Sequence, residues 1–299
     1  MRFTHTGAIC RSRPGWRDEL PAQPGAMPSC FNEAVYFRFS LLSTDLSCRA
    51  LVISALVLFA TAFSGCKWHA RKNSTSAGGA APILLFNGTG TSLNDVQAIE
   101  TILHKNNLSY STVNSSRLNG MDESQIRKYR LLIVPGGNFI DIGNNLDAAV
   151  RANIRHAVQH GLNYLGVCAG GFFAGNSNYY NGLNLTSGVT FHFYSAENRG
   201  VRKAAVLITG PPGRTLDQYW QDGPQFSGWG AVAGRYPDGT PAIAEGTVGS
   251  GWVILAGVHA EAPEDWRHGM TFTTPASTDN AYAAVLIRAA LNRVSLPHY

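Results

Sequence analysis

Short, uninterrupted apolar runs alternate with segments of helical periodicity along most of this chain. The run Ile83 to Phe86 is the first in its folded part, and it ends in the turn-forming stretch Asn87 to Gly90. A run without polar positions is typical of a strand buried on both faces. Apolar residues at helical spacing then predict a helix over Leu93 to Leu103, and Ser92 with Asp95 resembles a capping box at its start.

The same alternation continues toward the middle of the chain. Further strands are predicted at residues 108–113, 131–134 and 162–167, with helices at residues 122–129 and 146–158. Strands that alternate with helices in this way favour an α/β fold with a doubly wound, mostly parallel sheet.

The pattern changes beyond Gly175, where Asn-, Tyr- and Gly-rich turns separate short apolar runs. These runs are residues 189–194, 204–208, 228–232, 242–244 and 252–256. We interpret them as an antiparallel extension of the sheet, followed by a last helix from Ala281 to Asn292 after a cap region at Ser277 and Asp279.

The chain before residue 82 divides into three segments. Residues 1–49 lack periodicity and are interpreted as disordered or as an over-extended start. Residues 50–66 carry no charge and resemble a secretory hydrophobic region. Residues 67–81 have the polar, Gly- and Ser-leaning composition of a linker. Residues 82–299 are then expected to form the folded domain.

Composition is consistent with one ordinary domain, because 44% of residues are hydrophobic and only 14% are charged. The net charge is +5, but no dense Lys/Arg run follows residue 80, so nucleic-acid binding is not indicated. Four of the five cysteines lie in the first 66 residues, and Cys168 is the one that remains. It is either a small buried apolar residue or a reactive thiol.

The surroundings of Cys168 favour the reactive thiol. The stretch Gly166 to Gly171 is predicted to connect a strand to a helix through a sharp turn that exposes the thiol. The amides at the start of the helix would favour the thiolate. Small residues on both sides allow the tight backbone, so the stretch is a cysteine counterpart of the nucleophile elbow.

A base and an orienting acid follow another predicted strand. The apolar run Gly251 to Ala256 is followed closely by His259 and Glu261. Two residues apart in extended backbone, their side chains point to the same side. Glu261 can therefore hold the imidazole in the tautomer that accepts a proton from the thiol.

The end of the uncharged segment, Phe63-Ser64-Gly65-Cys66, resembles the lipobox of bacterial lipoproteins, although Phe63 stands where Leu is preferred. The resemblance implies that Cys66 is lipidated and that the domain is anchored on the extracytoplasmic side of a membrane in the cell envelope. The segment has 17 residues, at the short limit for a spanning helix, so a transmembrane anchor is the alternative.

Three strand-end motifs in this order resemble the class I glutamine amidotransferase-like superfamily, which has a flavodoxin-like α/β fold. The motifs are Pro135-Gly136-Gly137, Gly166 to Gly170 and Gly257 to Glu261. The chain is most similar to the N-terminal domain of biotin-protein ligases and its stand-alone bacterial relatives, through Cys-Ala-Gly-Gly-Phe-Phe and the segment Tyr219 to Pro224. The resemblance covers about residues 82 to 292 and departs from the family at Ala260, where Pro is common.

The resemblance implies a role for each matching position. Cys168 would be the nucleophile, His259 the base and Glu261 its orienting acid. The backbone amides of Gly136 or Gly137 and of Ala169 would form the oxyanion hole. Tyr219 and Trp220 are the candidate substrate-binding residues.

Two functions follow as expectations. The first is a cysteine-dependent hydrolase that attacks a small amide or peptide-like substrate through a thioester. The second is a catalytically silent, lipid-anchored binding or scaffold domain that docks a partner through Tyr179, Tyr180, Tyr219 and Trp220. No cofactor or metal is indicated, since His156 and His160 have the spacing of helical ligands but no third ligand nearby. The sequence does not identify a protein partner.

Overall fold

Nine strands form one mixed sheet in the residues that the computed structural model describes, which are 81–194, 202–211 and 213–299. The predicted start, the uncharged segment and nearly all of the predicted linker lie outside these ranges. Among the described residues, no helix is both long enough and apolar enough to cross a membrane.

Five strands make the parallel half of the sheet. They are β1 (Ile83–Phe86), β2 (Tyr110–Val113), β3 (Leu131–Val134), β4 (Asn163–Val167) and β11 (Gly251–Ala256). Their order is β2-β1-β3-β4-β11, and each neighbouring pair is parallel. This is the strand order of flavodoxin-like folds, so the predicted α/β class is confirmed.

Four strands continue the sheet beyond β11 in antiparallel pairs. They are β6 (Lys203–Gly210), β7 (Arg214–Gln221), β9 (Ala231–Arg235) and β10 (Pro241–Val248), in the order β10-β9-β6-β7. The antiparallel extension is as predicted, but the sequence does not predict β7, because polar residues dominate its first half. Two short strands, β5 (His192–Phe193) and β8 (Pro224–Gln225), pair separately.

Seven α-helices accompany the sheet within the described residues. They are α1 (Leu93–Lys105), α2 (Ser115–Asn119), α3 (Glu123–Ile126), α4 (Phe139–Asn144), α5 (Ala148–Gln159), α6 (Ala169–Ala174) and α7 (Ala276–Asn292). The sequence does not predict α2 and α4, which are too short to show a helical period. Helix α7 begins at Ala276, five residues before the predicted start, so Ser277 and Asp279 lie inside it.

The core has two layers, one on each face of the sheet. Along β1, Ile83 and Leu85 pack on the face covered by α1 and α7, whereas Leu84 and Phe86 pack on the face covered by α5 and α6. Neighbouring strand residues point to opposite faces, so a run without polar residues is buried on both sides. The carboxyl ends of the parallel strands therefore meet at one edge of the sheet, between the two helical layers.

Candidate active site

Cys168 occupies a strained turn between β4 and α6. Its backbone has φ 48° and ψ −103°, a region that residues other than glycine rarely adopt. The Cys168 amide donates to the Ala256 carbonyl of β11 at 2.7 Å, and the Gly171 and Phe172 amides donate to the Cys168 carbonyl. These bonds fix the turn, as expected for an elbow that presents one side chain.

The glycines around this turn are required by close backbone contacts. A Cβ atom at Gly166 would collide with the Gly170 carbonyl, and one at Gly170 would collide with the Val134 carbonyl of β3. The prediction that the elbow needs small residues is therefore confirmed at these two positions.

His259 and Glu261 follow β11 directly and lie at the same sheet edge as Cys168. Strand β11 pairs in parallel with β4, with Ala256 opposite Val167, so both strands end together. The His259 amide donates to the Tyr219 carbonyl at 2.8 Å, and its Nδ1 lies 2.9 Å from Glu261 Oε1 in a hydrogen bond. Both side chains are buried. The predicted contact between base and orienting acid is present.

A second carboxylate, which the sequence analysis does not assign to the site, also faces His259. Asp95 lies in the first turn of α1, is buried, and places Oδ1 3.0 Å from His259 Nδ1. The sequence pattern resembles a capping box, and half of one exists, because the Asp95 amide donates to Ser92 Oγ. The Asp95 carboxylate, however, points to His259.

Gly136 and Gly137 have different positions in the site. A Cβ atom at Gly136 would collide with Asp95 Oδ1 and with the ring of His259, so this glycine gives those side chains room to meet. Gly137 and Ala169 line the cavity in front of Cys168. Ala169 is the first residue of α6, where backbone amides have no acceptor within the helix. Gly137 and Ala169 therefore fit an oxyanion hole better than Gly136 does.

The charges of His259 and Asp95 stabilise each other. Burial acts to lower the pKa of His259, but the negative charges of Cys168, Asp95 and Glu261 together raise it well above its ordinary value near 6.5. Burial acts to raise the pKa of Asp95, and the charge of His259 outweighs this effect and lowers it. At neutral pH the imidazole is therefore protonated, with Nδ1 toward the carboxylates and Nε2 available for proton transfer.

Cys168 and His259 line the same cavity, which has a volume of about 600 Å³. Its aromatic lining consists of Phe139, Phe172, Phe193, Tyr219 and Trp266, and Arg202 and Lys203 contribute positive charge. Because the lining is both aromatic and polar, the cavity suits a ligand with an apolar body and polar groups.

The two predicted substrate-binding residues lie in different surroundings. Tyr219 lines the cavity, and its ring centroid is 5.7 Å from that of His259. Trp220 has 0% exposure, and its Nε1 donates to the Gly223 carbonyl within the core. Neighbouring strand residues face opposite sides, so Trp220 offers no surface to a ligand in this cavity.

The atoms of Asp95, His259 and Glu261 that could bind a metal lie within 4.8 Å of one another. Zn²⁺ accepts such ligands. In this protein the His259 Nδ1 proton accounts for the spacing, because it forms the hydrogen bond to Glu261. His160, one of the pair considered on α5, instead contacts Glu123 through Nδ1 at 2.7 Å.

Comparison with protein families adds one result. Residues 81–202 match the family model described as biotin-protein ligase, N terminal. The match covers about two fifths of the chain, including Cys168 and Asp95, and it ends before His259. No curated protein matches the sequence.

Several solved structures resemble the chain at low identity. They include an exo-β-1,4-mannosidase from Opitutaceae bacterium strain TAV5 (TM-score 0.45, 12% identity, 71% of this chain and 36% of that one). They also include SMU.1228c (0.46, 14%, 71% and 98%) and a putative GMP synthase component from Thermoplasma acidophilum (0.46, 10%, 71% and 95%). The chain thus spans about a third of the mannosidase and nearly all of the other two.

Proposed function

We propose that this protein is a cysteine-dependent amide hydrolase that acts through a thioester. The observation that carries the proposal is that Cys168, on a strained turn, shares a cavity with His259, whose Nδ1 is hydrogen-bonded to Glu261. A nucleophile, a proton carrier and an orienting acid are the parts that acyl transfer requires.

In the acylation step, the Cys168 thiolate attacks the carbonyl carbon of the amide. The oxyanion that forms would accept hydrogen bonds from the amides of Gly137 and Ala169, each worth about 3 kcal/mol of barrier. Protonated His259 donates its Nε2 proton to the leaving nitrogen as the C–N bond breaks. An amine leaves, and the acyl group stays on Cys168 as a thioester.

In the hydrolysis step, neutral His259 takes a proton from water at Nε2 while the water oxygen bonds to the acyl carbon. The C–S bond breaks, the sulfur leaves as a thiolate, and a carboxylic acid is released. The imidazolium and the thiolate are restored, and Glu261 stabilises the imidazolium throughout.

The proposed substrate is a small amide or a peptide-like molecule, in keeping with the size and lining of the cavity. We also propose that the domain works in the cell envelope, attached to a membrane through a lipid on Cys66. The lipobox-like end of the uncharged segment motivates this location. Transfer of ammonia to an ATP-using partner fits such a location poorly.

The second candidate is a silent binding domain in which the elbow persists without turnover. Two of its four proposed docking residues, Tyr180 and Trp220, are buried, and Tyr180 donates its hydroxyl to the Phe172 carbonyl. Tyr179, which is 91% exposed, and Tyr219 remain for docking. This burial weakens the binding hypothesis relative to the hydrolase.

A library of small amides and short peptides tests the hydrolase directly. We expect amine release by the full-length protein and none above background by Cys168→Ala, because the nucleophile is gone. Cys48→Ser is the matched control, since this cysteine lies outside the domain, and it should keep full activity. Turnover that survives in Cys168→Ala would refute the mechanism. Ligand binding without any turnover would support the silent domain.

A further inference from the structure

Two carboxylates share a single nitrogen of His259, although an orienting hydrogen bond needs only one. Glu261 Oε1 accepts the bond from Nδ1 at 2.9 Å. Asp95 Oδ1 is almost as close, at 3.0 Å, yet it has no hydrogen-bond partner among the described residues. Asp95 therefore acts on the imidazole through its negative charge rather than by holding the ring in place.

The structure also keeps this carboxylate in position. Asp95 is 6% exposed, its amide is capped by Ser92, and Gly136 leaves no side chain between Asp95 and the ring. A buried, unpaired carboxylate oxygen costs free energy, so a compensating interaction is expected. The only cation in contact with it in the described site is the His259 imidazolium.

The proposal rests on the hydrolase function. We propose that Asp95 is a positioning residue that keeps His259 protonated after Cys168 has been acylated, so that the thioester is hydrolysed slowly at neutral pH. In this way Asp95 sets the pH at which the protein completes its reaction.

The charges around His259 explain why this effect persists after acylation. The groups that face the ring are Asp95 from α1, Cys168 from the elbow, Tyr219 from β7 and Glu261 from its own segment, together with the uncharged Trp266. Burial lowers the pKa of His259, and Cys168, Asp95 and Glu261 raise it. Acylation removes the charge of Cys168 but leaves both carboxylates.

The consequence follows from the proton balance of the two steps. Acylation uses the Nε2 proton, which leaves with the amine, and His259 is then neutral. Hydrolysis needs this neutral ring to accept a proton from water. With two carboxylates beside Nδ1, the ring instead takes up a proton from solvent at neutral pH, and water attack has no base until the pH rises.

Replacement of Asp95 by Asn changes this balance while keeping the shape of the side chain. Loss of one negative charge lowers the pKa of His259, so more of the ring is neutral at a given pH. Below that pKa, the neutral fraction rises about tenfold for each unit by which the pKa falls. Asp95→Asn should therefore hydrolyse the thioester faster than the wild type at about pH 6.5.

The hydrolysis step can be isolated with p-nitrophenyl acetate, which acetylates a reactive cysteine without a proton from His259. The full-length protein is acetylated and desalted, and loss of the acetyl group from the Cys168 peptide is followed by mass spectrometry between about pH 5.5 and about pH 9. We expect a rate that rises with pH and a midpoint that is lower in Asp95→Asn. Asp147→Asn, an exposed aspartate at the start of α5, should match the wild type.

Three results would overturn the inference. In Asp95→Asn, an unchanged midpoint or slower hydrolysis at about pH 6.5 would contradict it. The third test uses Cys168→Ala with Asp95 intact, which lacks the thiolate charge and needs no folded Asp95 variant. In its ¹⁵N NMR spectrum, assigned by comparison with a version that also carries His259→Gln, a neutral His259 ring at about pH 7 would overturn the inference. A wild-type protein that forms no acetyl-Cys168 would refute the hydrolase function, while the NMR test of Asp95 would still stand.

Discussion

The charge state of His259 is the residue-level property on which the proposed chemistry depends. The pKa of a buried histidine usually falls, but here three anionic groups outweigh the burial and raise it. The protonated ring, in turn, favours a negative charge on the nearby sulfur of Cys168. The two side chains are therefore expected to rest as a thiolate and an imidazolium.

This ion pair predicts the effect of His259→Gln on the reactivity of Cys168. Without the cation, iodoacetamide should alkylate Cys168 more slowly at about pH 6.5, by about tenfold or more. The rate is measured on the Cys168 peptide by mass spectrometry, which separates it from the other cysteines. His156→Gln, an exposed histidine of α5, should not change the rate. An equal rate in His259→Gln would show that the imidazole does not activate the thiol.

Three of the four site residues can be found from sequence because they lie in strand-end motifs. Cys168, His259 and Glu261 each follow an apolar run with glycines beside it. Asp95 cannot be found in this way, since the Ser92 cap already explains an acidic residue there, and the direction of its carboxylate depends on packing between α1 and the segment after β11. The sequence assigns Trp220 to a ligand because it does not predict β7, so the faces of that strand cannot be distinguished.

At the level of elements, the elbow is held by contacts between β3, β4 and α6. The Gly170 amide donates to the Pro135 carbonyl at 3.1 Å, and the Tyr164 hydroxyl donates to the Gly170 carbonyl at 2.7 Å. No space remains for a Cβ atom at Gly170, because the Val134 carbonyl occupies it. The first turn of α6 is thus in direct contact with the end of β3.

Gly170→Ala should therefore destabilise the protein and displace the elbow. We expect the free energy of unfolding to fall by about 1–3 kcal/mol, the usual cost of overpacking, with slower acetylation of Cys168. Urea unfolding followed by fluorescence measures the first effect. Gly120→Ala is the control, since a Cβ atom there meets nothing nearer than 3.6 Å. Equal stability of the two variants would contradict the proposed packing.

The apolar runs identify the buried strands because a strand covered on both faces has no polar positions. All five strands of the parallel half are predicted in this way, although β2 is only partly buried and has the weakest pattern. Edge strand β7 contains Arg214, Asp217 and Gln218, and Asp217 is satisfied by Thr273 and Thr274 from a distant loop. Such long-range pairing has no signature in the local sequence.

At the level of the whole molecule, the site needs both halves of the sheet. The parallel half supplies Cys168 and Asp95, the antiparallel half supplies Tyr219, and His259 follows β11, where the halves meet. The region that matches biotin-protein ligase N-terminal domains ends at residue 202, so it includes the nucleophile but not the base. A test of function in this protein must therefore use the whole domain.

The location of the domain depends on the segment that precedes it. Residues 50–66 are uncharged, with Arg49 before them and Lys67 after them. As a helix, such a segment would span about 25 Å, less than the roughly 30 Å of a bilayer core. A lipid on Cys66 would provide an anchor without requiring a spanning helix, and two or more acyl chains are enough for stable attachment.

This reasoning predicts that the protein made in a bacterial host incorporates an alkyne-labelled fatty acid through Cys66. Cys66→Ser should lose the label, and globomycin should leave a heavier, unprocessed form of the wild type. Cys48→Ser is the matched control and should retain the label, because it lies before the uncharged segment. Label that persists in Cys66→Ser, or an unprocessed chain in the cytoplasm, would contradict lipidation. An unlabelled wild type that is firmly bound to the membrane would support the transmembrane anchor.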